Sequence, residues 1–218
     1  MFLSADCQAI YDSGMNISGV YNIGITTASF SLLPVFCDMN EKGWIVFQKR
    51  TDSTVDFFRY WNDYKYGFGN LTGNFWLGLE KLHNLAGPGR GAVLRIDVRH
   101  RDDSNNVLYA EYGKFEIGNE ADGYRLVLSE YTGTAGDSMN LHNNMKFTTR
   151  DRDNDRHSSS NCAVIRKGVW WYNSCYQSNL NALYPGRGAL PPGGYMGWYL
   201  LHSDYGSIIY SQMKLRYK

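Results

Sequence analysis

The chain has 218 residues and carries 22 Lys and Arg against 21 Asp and Glu, a formal net charge of +1. That length allows one sizeable core, and a charge so near zero gives no global field to recruit DNA, RNA or an anionic membrane. No apolar run approaches the ~18 residues of an ordinary membrane-spanning helix, and Met1 to Leu3 is too short to read as a signal peptide. With 17 Tyr, 10 Phe, 6 Trp and 23 Gly, the composition predicts a turn-rich domain around a dense aromatic core.

In chain order, Asp6 is placed to cap a short helix from Cys7 to Asp12 that Gly14 ends. Residues 18–23 and 32–39 have strand-like apolar content, and Lys42-Gly43 turns the chain into a further strand at 44–48. Residues 5–44 thus read as a small disulfide-tied unit. Phe57, Tyr60, Trp61 and Tyr64 fall on one stripe at helical spacing, which points to core packing before a binding surface. Gly67, Gly69 and Gly73 predict a loop, and residues 75–82 a short helix. The stretch Gly87-Pro88-Gly89-Arg90-Gly91 reads as a turn, since Pro88 removes an amide donor that a phosphate loop would need. Residues 92–98, 107–115 and 125–128 read as strands with Asp122-Gly123 as a turn signal, so the sheet is expected to be antiparallel and the class α+β. Residues 137–204 are rich in Asn, Gly, Ser and aromatics with little periodicity, and a final strand is expected over 207–215.

The most unusual stretch is TTRDRDNDRHSSSNC, beginning at Thr148. Asp151, Asp153 and Asp155 repel one another unless positive charge sits among them. The flanking arginines could neutralise them at the surface, or a hard cation could be held by carboxylate and carbonyl oxygens, which makes calcium the candidate. An EF-hand is excluded, because Arg156 and Cys162 stand where that loop needs glycine and glutamate. Four cysteines allow three pairings. Cys7–Cys37 with Cys162–Cys175 is the simplest, each closing a local loop at roughly 3–4 kcal/mol of chain-entropy stabilisation. The even cysteine count and the calcium-like loop favour a secreted, extracellular setting. Asn16-Ile-Ser18 and Asn70-Leu-Thr72 are glycosylation sequons. No GxSxG elbow, HExxH pair or P-loop occurs, and the five histidines are scattered, so no enzyme is expected.

The sequence resembles a fibrinogen-related domain, the globular C-terminal domain shared by fibrinogen chains, ficolins, tachylectins, tenascins and angiopoietins. DCQAIYDSGMNISGVYNI, PVFCDM, GWIVFQKR and FWLGLEKLHNL carry the resemblance, with TTRDRDNDR, NCA, GVWWYNSC, SNLNALY and MKLR, in that order over essentially the whole chain. The resemblance implies a three-part arrangement in 1–218: an N-terminal part (5–44) held by Cys7–Cys37, a central sheet (45–136 with 205–218), and a calcium and recognition region (137–204) tied by Cys162–Cys175. It places calcium on the Asp153 and Asp155 side chains and on main-chain carbonyls near His157 and Ser159, with Asp151 outer-sphere or exposed. The cation is expected to order the loop beside a ligand pocket.

In acetyl-binding members of such a family a histidine follows the fourth cysteine, and the peptide before that cysteine is often cis. Here Ser174–Cys175 and Tyr176 occupy those places, and Arg166 stands near a position that is often aromatic. Segment 185–200 departs from the lectin pattern, leaving Tyr195 and Trp198 as replacement pocket aromatics. The Trp170-Trp171-Tyr172 trio reads as core support beneath the pocket. The expectation is a calcium-stabilised lectin for acetylated or acidic glycans in innate immune or surface recognition. The alternative is an adhesion, matrix or signalling module that binds protein or peptide. Neither Gly-X-Y repeats nor heptads occur, so a monomer and a self-associating domain both stay open.

Overall fold

The computed structural model describes residues 5–26, 30–185, 194–203 and 208–218. Helix α1 (Cys7–Asp12) starts where Asp6 accepts the Ala9 N–H at 2.8 Å, and it buries Cys7 and Ile10. Strands β1 (Gly19–Thr26) and β2 (Phe30–Asp38) form an antiparallel hairpin. Strand β3 (Trp44–Arg50) continues from β2, and the Cys7–Cys37 disulfide ties α1 to the hairpin. Gly43 has φ +84°, and a Cβ there would overlap the Cys7 carbonyl, so the turn into β3 can lie this close to α1 only with glycine.

The aromatic stripe at 57–64 is only partly helical. Helix α2 covers Trp61–Tyr66, because an Asp56 carboxylate oxygen accepts the Phe58 N–H at 2.8 Å and Arg59 Nε donates to the Asp56 carbonyl at 2.7 Å. This local turn holds the chain out of the helix until Tyr60. Phe57, Trp61 and Tyr64 are buried, while Tyr60 is 52% exposed.

The helix expected over 75–82 begins later. Strand β4 (Phe68–Gly69) pairs with β5 (Phe75–Trp76), and β5 also pairs with β3. Gly78, at φ +116°, then redirects the chain into α3 (Leu79–Ala86), whose Leu79, Leu82, Leu85 and Ala86 are buried.

Strands β6 (Ala92–His100), β7 (Leu108–Ile117) and β8 (Leu126–Gly133) follow as an antiparallel meander, with Gly123 left-handed in the turn before β8. The 87–91 segment is a turn, closed by the Arg90 N–H on the Gly87 carbonyl. Between 137 and 203 the described regular elements are short: a 3-10 turn (Asn140–His142), α4 (Cys162–Ile165), β9 (Ser178–Asn179) paired with β10 (Gly197–Trp198), and α5 (Tyr199–His202).

Strand β11 (Ile208–Tyr217) returns to the centre, antiparallel to both β3 and β6, giving the order β1-β2-β3-β11-β6-β7-β8. The fold is α+β with a mainly antiparallel sheet, as expected. The N-terminal hairpin is continuous with that sheet through the β2–β3 pairing, and position 44 lies inside the run of β3.

The core joins the sheet to the irregular C-terminal region through packed rings. Phe47 contacts Trp76 and Phe115, each with centroids 5.9 Å apart. Trp76 contacts Phe147 at 5.9 Å, Phe147 contacts Trp171 at 4.9 Å, and Trp171 contacts Trp170 at 5.2 Å. Trp170, Trp171 and Tyr172 have no exposed surface, so the trio is core support. Such ring pairs add to the area they bury.

Candidate functional site

The aspartate loop is built by polar side chains that substitute for regular structure. Asn154 Nδ2 donates to the Phe147 carbonyl at 2.8 Å and Asn161 Nδ2 to the Thr149 carbonyl at 2.9 Å. The Asn161 carboxamide oxygen caps α4 by accepting the Ala163 and Val164 N–H groups. Asp151 is exposed, yet it accepts the Trp61 N–H at 3.0 Å and the Thr149 hydroxyl at 2.7 Å. It therefore fastens the loop to the first residue of α2.

Arg150 and Arg152 are also drawn towards α2 and do not neutralise the loop's other aspartates. Arg150 lies over Phe58 and Tyr60, at 4.4 and 4.9 Å from the ring centroids. Arg152 lies 4.0 Å over Trp61 and 3.5 Å from Glu120. Among the described residues no cation forms an ion pair with Asp153 or Asp155.

Asp153 accepts the Asp155 N–H at 3.2 Å, and Asp155 accepts the His157 N–H at 2.8 Å and the Cys162 N–H at 2.7 Å. Burial raises the Asp155 pKa, the adjacent Asp153 charge adds to it, and the two N–H donors oppose it. Two neighbouring carboxylates without a cation, one of them half-buried, suit a hard ion with oxygen ligands. No described hydrogen bond is donated to the main-chain oxygens of His157 or Ser159. The described residues contain no cluster of three or more His, Cys, Asp or Glu side chains with metal-binding geometry. An ion here would therefore rest on Asp153, Asp155 and main-chain oxygens.

The second half of the site lies across the Cys162–Cys175 disulfide. The Ser174–Cys175 peptide is cis and Ser174 is exposed. Arg166, at the end of α4, sets its guanidinium 5.8 Å from the Tyr176 ring centroid, so the structure brings these two residues together. The Arg166 Nε is buried without a hydrogen-bond acceptor. Tyr176 is 7% exposed and packs on Tyr172 with centroids 6.3 Å apart.

Trp198 requires a correction. It is 1% exposed, and its indole N–H points inward to the Ala135 and Gly136 carbonyls at 2.9 and 3.0 Å, so it props the wall and offers no ring to a ligand. Tyr195 is half-buried and bridges to Leu183; it lines a cavity with Arg50 and Tyr184 whose lining does not include Arg166 or Tyr176. Residues 186–193 of the divergent segment lie outside the described residues. Both sequon asparagines, Asn16 and Asn70, are exposed.

One organising residue escaped the sequence reading. His142 is fully buried; its Nδ1 is 2.7 Å from the Trp171 carbonyl, and its Nε2 accepts the Gln177 and Ser178 N–H groups at 3.2 and 3.0 Å. Accepting at Nε2 requires the proton on Nδ1, so the ring is neutral. Burial lowers its pKa to about 4, opposed by the Trp171 carbonyl. His142 thus fixes the backbone immediately after Tyr176. Its partners lie 29, 35 and 36 residues away, and no local pattern signals them.

With this geometry in hand, comparison with known proteins is direct. Residues 3–218 match the family model for the C-terminal globular domain of fibrinogen beta and gamma chains. Tenascin-R of Gallus gallus is 43% identical over 213 residues, covering 97% of this chain and 15% of that protein. Ficolin-3 of Homo sapiens is 46% identical over 182 residues, covering 82% of this chain and 59% of that protein. This chain therefore spans less than two thirds of the length of either relative. Lamprey fibrin D-dimer, solved in complex with the peptide Gly-His-Arg-Pro-amide, superposes with a TM-score of 0.88 at 34% identity, over 98% of this chain and 73% of that one. None of these names an enzyme. The chain belongs to the fibrinogen family, in the branch of structure formed by its C-terminal globular domain.

Proposed function

We propose that this protein is a calcium-stabilised extracellular recognition module whose pocket, at Arg166, Ser174–Cys175 and Tyr176, takes an acidic or acetylated glycan. The observation that carries the reading is the half-buried Arg166 stacked towards Tyr176 with its Nε lacking an acceptor. A guanidinium left with donor capacity beside an aromatic ring suits a ligand with a carboxylate or sulfate next to an apolar face. Calcium would be held by Asp153, Asp155 and the carbonyls near His157 and Ser159, and would supply positive charge between the two carboxylates. The Asp155 carboxylate also accepts the Cys162 N–H, so ordering of the loop reaches Cys175 and Tyr176 through the disulfide. Extracellular placement is supported by the two disulfides.

A protein or peptide ligand is the second reading, favoured by the peptide bound in the lamprey fibrin relative. Weak single sites of either kind gain avidity when such domains are clustered. A glycan array that includes N-acetylated, sialylated and sulfated glycans, run with calcium and with chelator, separates the two. Calcium-dependent binding that Arg166→Ala and Tyr176→Ala each reduce by at least about tenfold supports the glycan reading. A silent array on folded, calcium-loaded protein moves the assignment to a peptide or protein.

A further inference from the structure

Arg50, the last residue of β3, is 1% exposed. Its Nη1 donates to the Leu180 and Ala182 carbonyls at 3.1 and 3.0 Å, and its guanidinium lies 3.9 Å over the Phe57 ring. Nε has no acceptor, and no carboxylate lies within ion-pair distance among the described residues. Burial lowers its pKa to about 10, which leaves it a cation at neutral pH. Asp56 and Asp52 favour the charge from beyond ion-pair distance, and a buried cation without a directly paired anion is costly unless something completes it.

Arg50 lines a cavity of about 270 Å³. Val55, Phe57 and Leu183 give that cavity apolar walls, and Tyr184 and Tyr195 stand beside them. Ser53 stands exposed at its rim. The Tyr184 hydroxyl is already committed to the Thr51 and Ile209 carbonyls, so Arg50 is the cationic lining group, and its Nε has donor capacity to spare. Asp56 also lines the cavity, with one carboxylate oxygen occupied by the Phe58 N–H. Its charge opposes any anion, a dianion about twice as strongly as a monoanion, so the Arg50 cation can offset it only for a single charge.

We propose that this cavity is an accessory site for a monocarboxylate carrying a small branched apolar body, with the carboxylate on Arg50 and the body against Val55, Phe57 and Leu183. It is separate from the Arg166–Tyr176 pocket and does not depend on that pocket's ligand. A free carboxylic acid and the C-terminus of a peptide ending in an aliphatic residue share this chemistry.

The test is NMR titration of the folded, calcium-loaded protein with isovalerate, isovaleramide, sulfate, and a leucine-ending peptide with a free or amidated C-terminus. Isovalerate should shift the signals of Leu183, Tyr184 and Tyr195, with the amide and sulfate at least about tenfold weaker. The peptide pair shows which source the site accepts: preference for the free C-terminus identifies peptide ends, and binding of isovalerate alone identifies free acids. Ser53→Trp, which covers the mouth without touching Arg50, should abolish the shifts, and Arg166→Ala should leave them intact. Equal binding of acid and amide would overturn the proposal. So would persistence in Ser53→Trp, loss in Arg166→Ala, or no shift up to about 10 mM acid.

Discussion

Replacing His142 with Gln tests whether this buried ring sets the acid limit of the recognition region. In the folded protein the neutral ring is an acceptor for the Gln177 and Ser178 N–H groups, and its pKa lies at about 4 against an ordinary 6.5. The unfolded chain therefore binds the proton first as pH falls. The stabilisation from the neutral ring is complete above about pH 6.5 and drains away down to about pH 4. One pKa unit is worth about 1.4 kcal/mol, so the full window spans about 3 kcal/mol and the loss by pH 5 is about 2 kcal/mol. Glutamine cannot titrate, though it can donate to the Trp171 carbonyl and accept one of the two N–H groups.

The parent protein should lose about 2 kcal/mol more than His142→Gln between about pH 7 and pH 5, measured by urea unfolding at saturating calcium. Amide hydrogen exchange at Gln177 and Ser178 should accelerate in acid in the parent. If both proteins lose the same stability over that interval, His142 is not the titrating group and the reasoning fails.

Two further predictions concern charge. Asp155→Asn should weaken calcium binding by at least about tenfold and speed proteolysis within 150–185 while exchange in the central sheet stays unchanged; unaltered cleavage there would sink the calcium assignment. Lys214 is 3% exposed and lies 2.9 Å from Asp38 and 2.8 Å from Asp97, so Lys214→Met leaves the buried Asp38 without a cation among the described residues and Asp97 with Arg95 alone, and should cost about 3–5 kcal/mol near neutral pH by denaturant unfolding. Burial alone would raise the Asp38 pKa, but Lys214 and its hydrogen bonds bring it below 3.8. That contribution is present above about pH 4 and lost below the folded pKa, so the variant's deficit should shrink in acid.

What the sequence made legible was what local chemistry determines. Asp6 capped α1, alternation marked β6, and the cysteine spacing admitted the pairing that forms. The helix boundaries at 61 and 79 were misplaced because local backbone features overrode periodicity: the Asp56 turn in one case and Gly78 at positive φ in the other. Trp198 and Tyr195 could not be told apart as prop and cavity wall, since Ala135, which Trp198 touches, and Arg50, which shares the cavity with Tyr195, are distant in sequence. Arg50 stood out only as the last residue of the GWIVFQKR block, because its carbonyl acceptors lie 130 and 132 residues on.

The three alternate aspartates show why a charge pattern alone could not divide the labour within the loop. Asp151 is taken by Trp61, 90 residues earlier in the chain, and Arg152 is taken by Trp61 and Glu120. α2 thereby removes both the first carboxylate and a neutralising arginine, leaving Asp153 and Asp155 without a protein cation among the described residues. The pocket side is held independently, by His142 on the Gln177 and Ser178 amides. Two of the links between these halves are Asp155 on the Cys162 N–H, continued through the disulfide, and the Arg156 N–H on the Asn173 carbonyl. Because both links begin in the aspartate loop, loss of a cation from Asp153 and Asp155 would reach Tyr176 by loosening residues 173–175, while the His142 side of the pocket kept its frame.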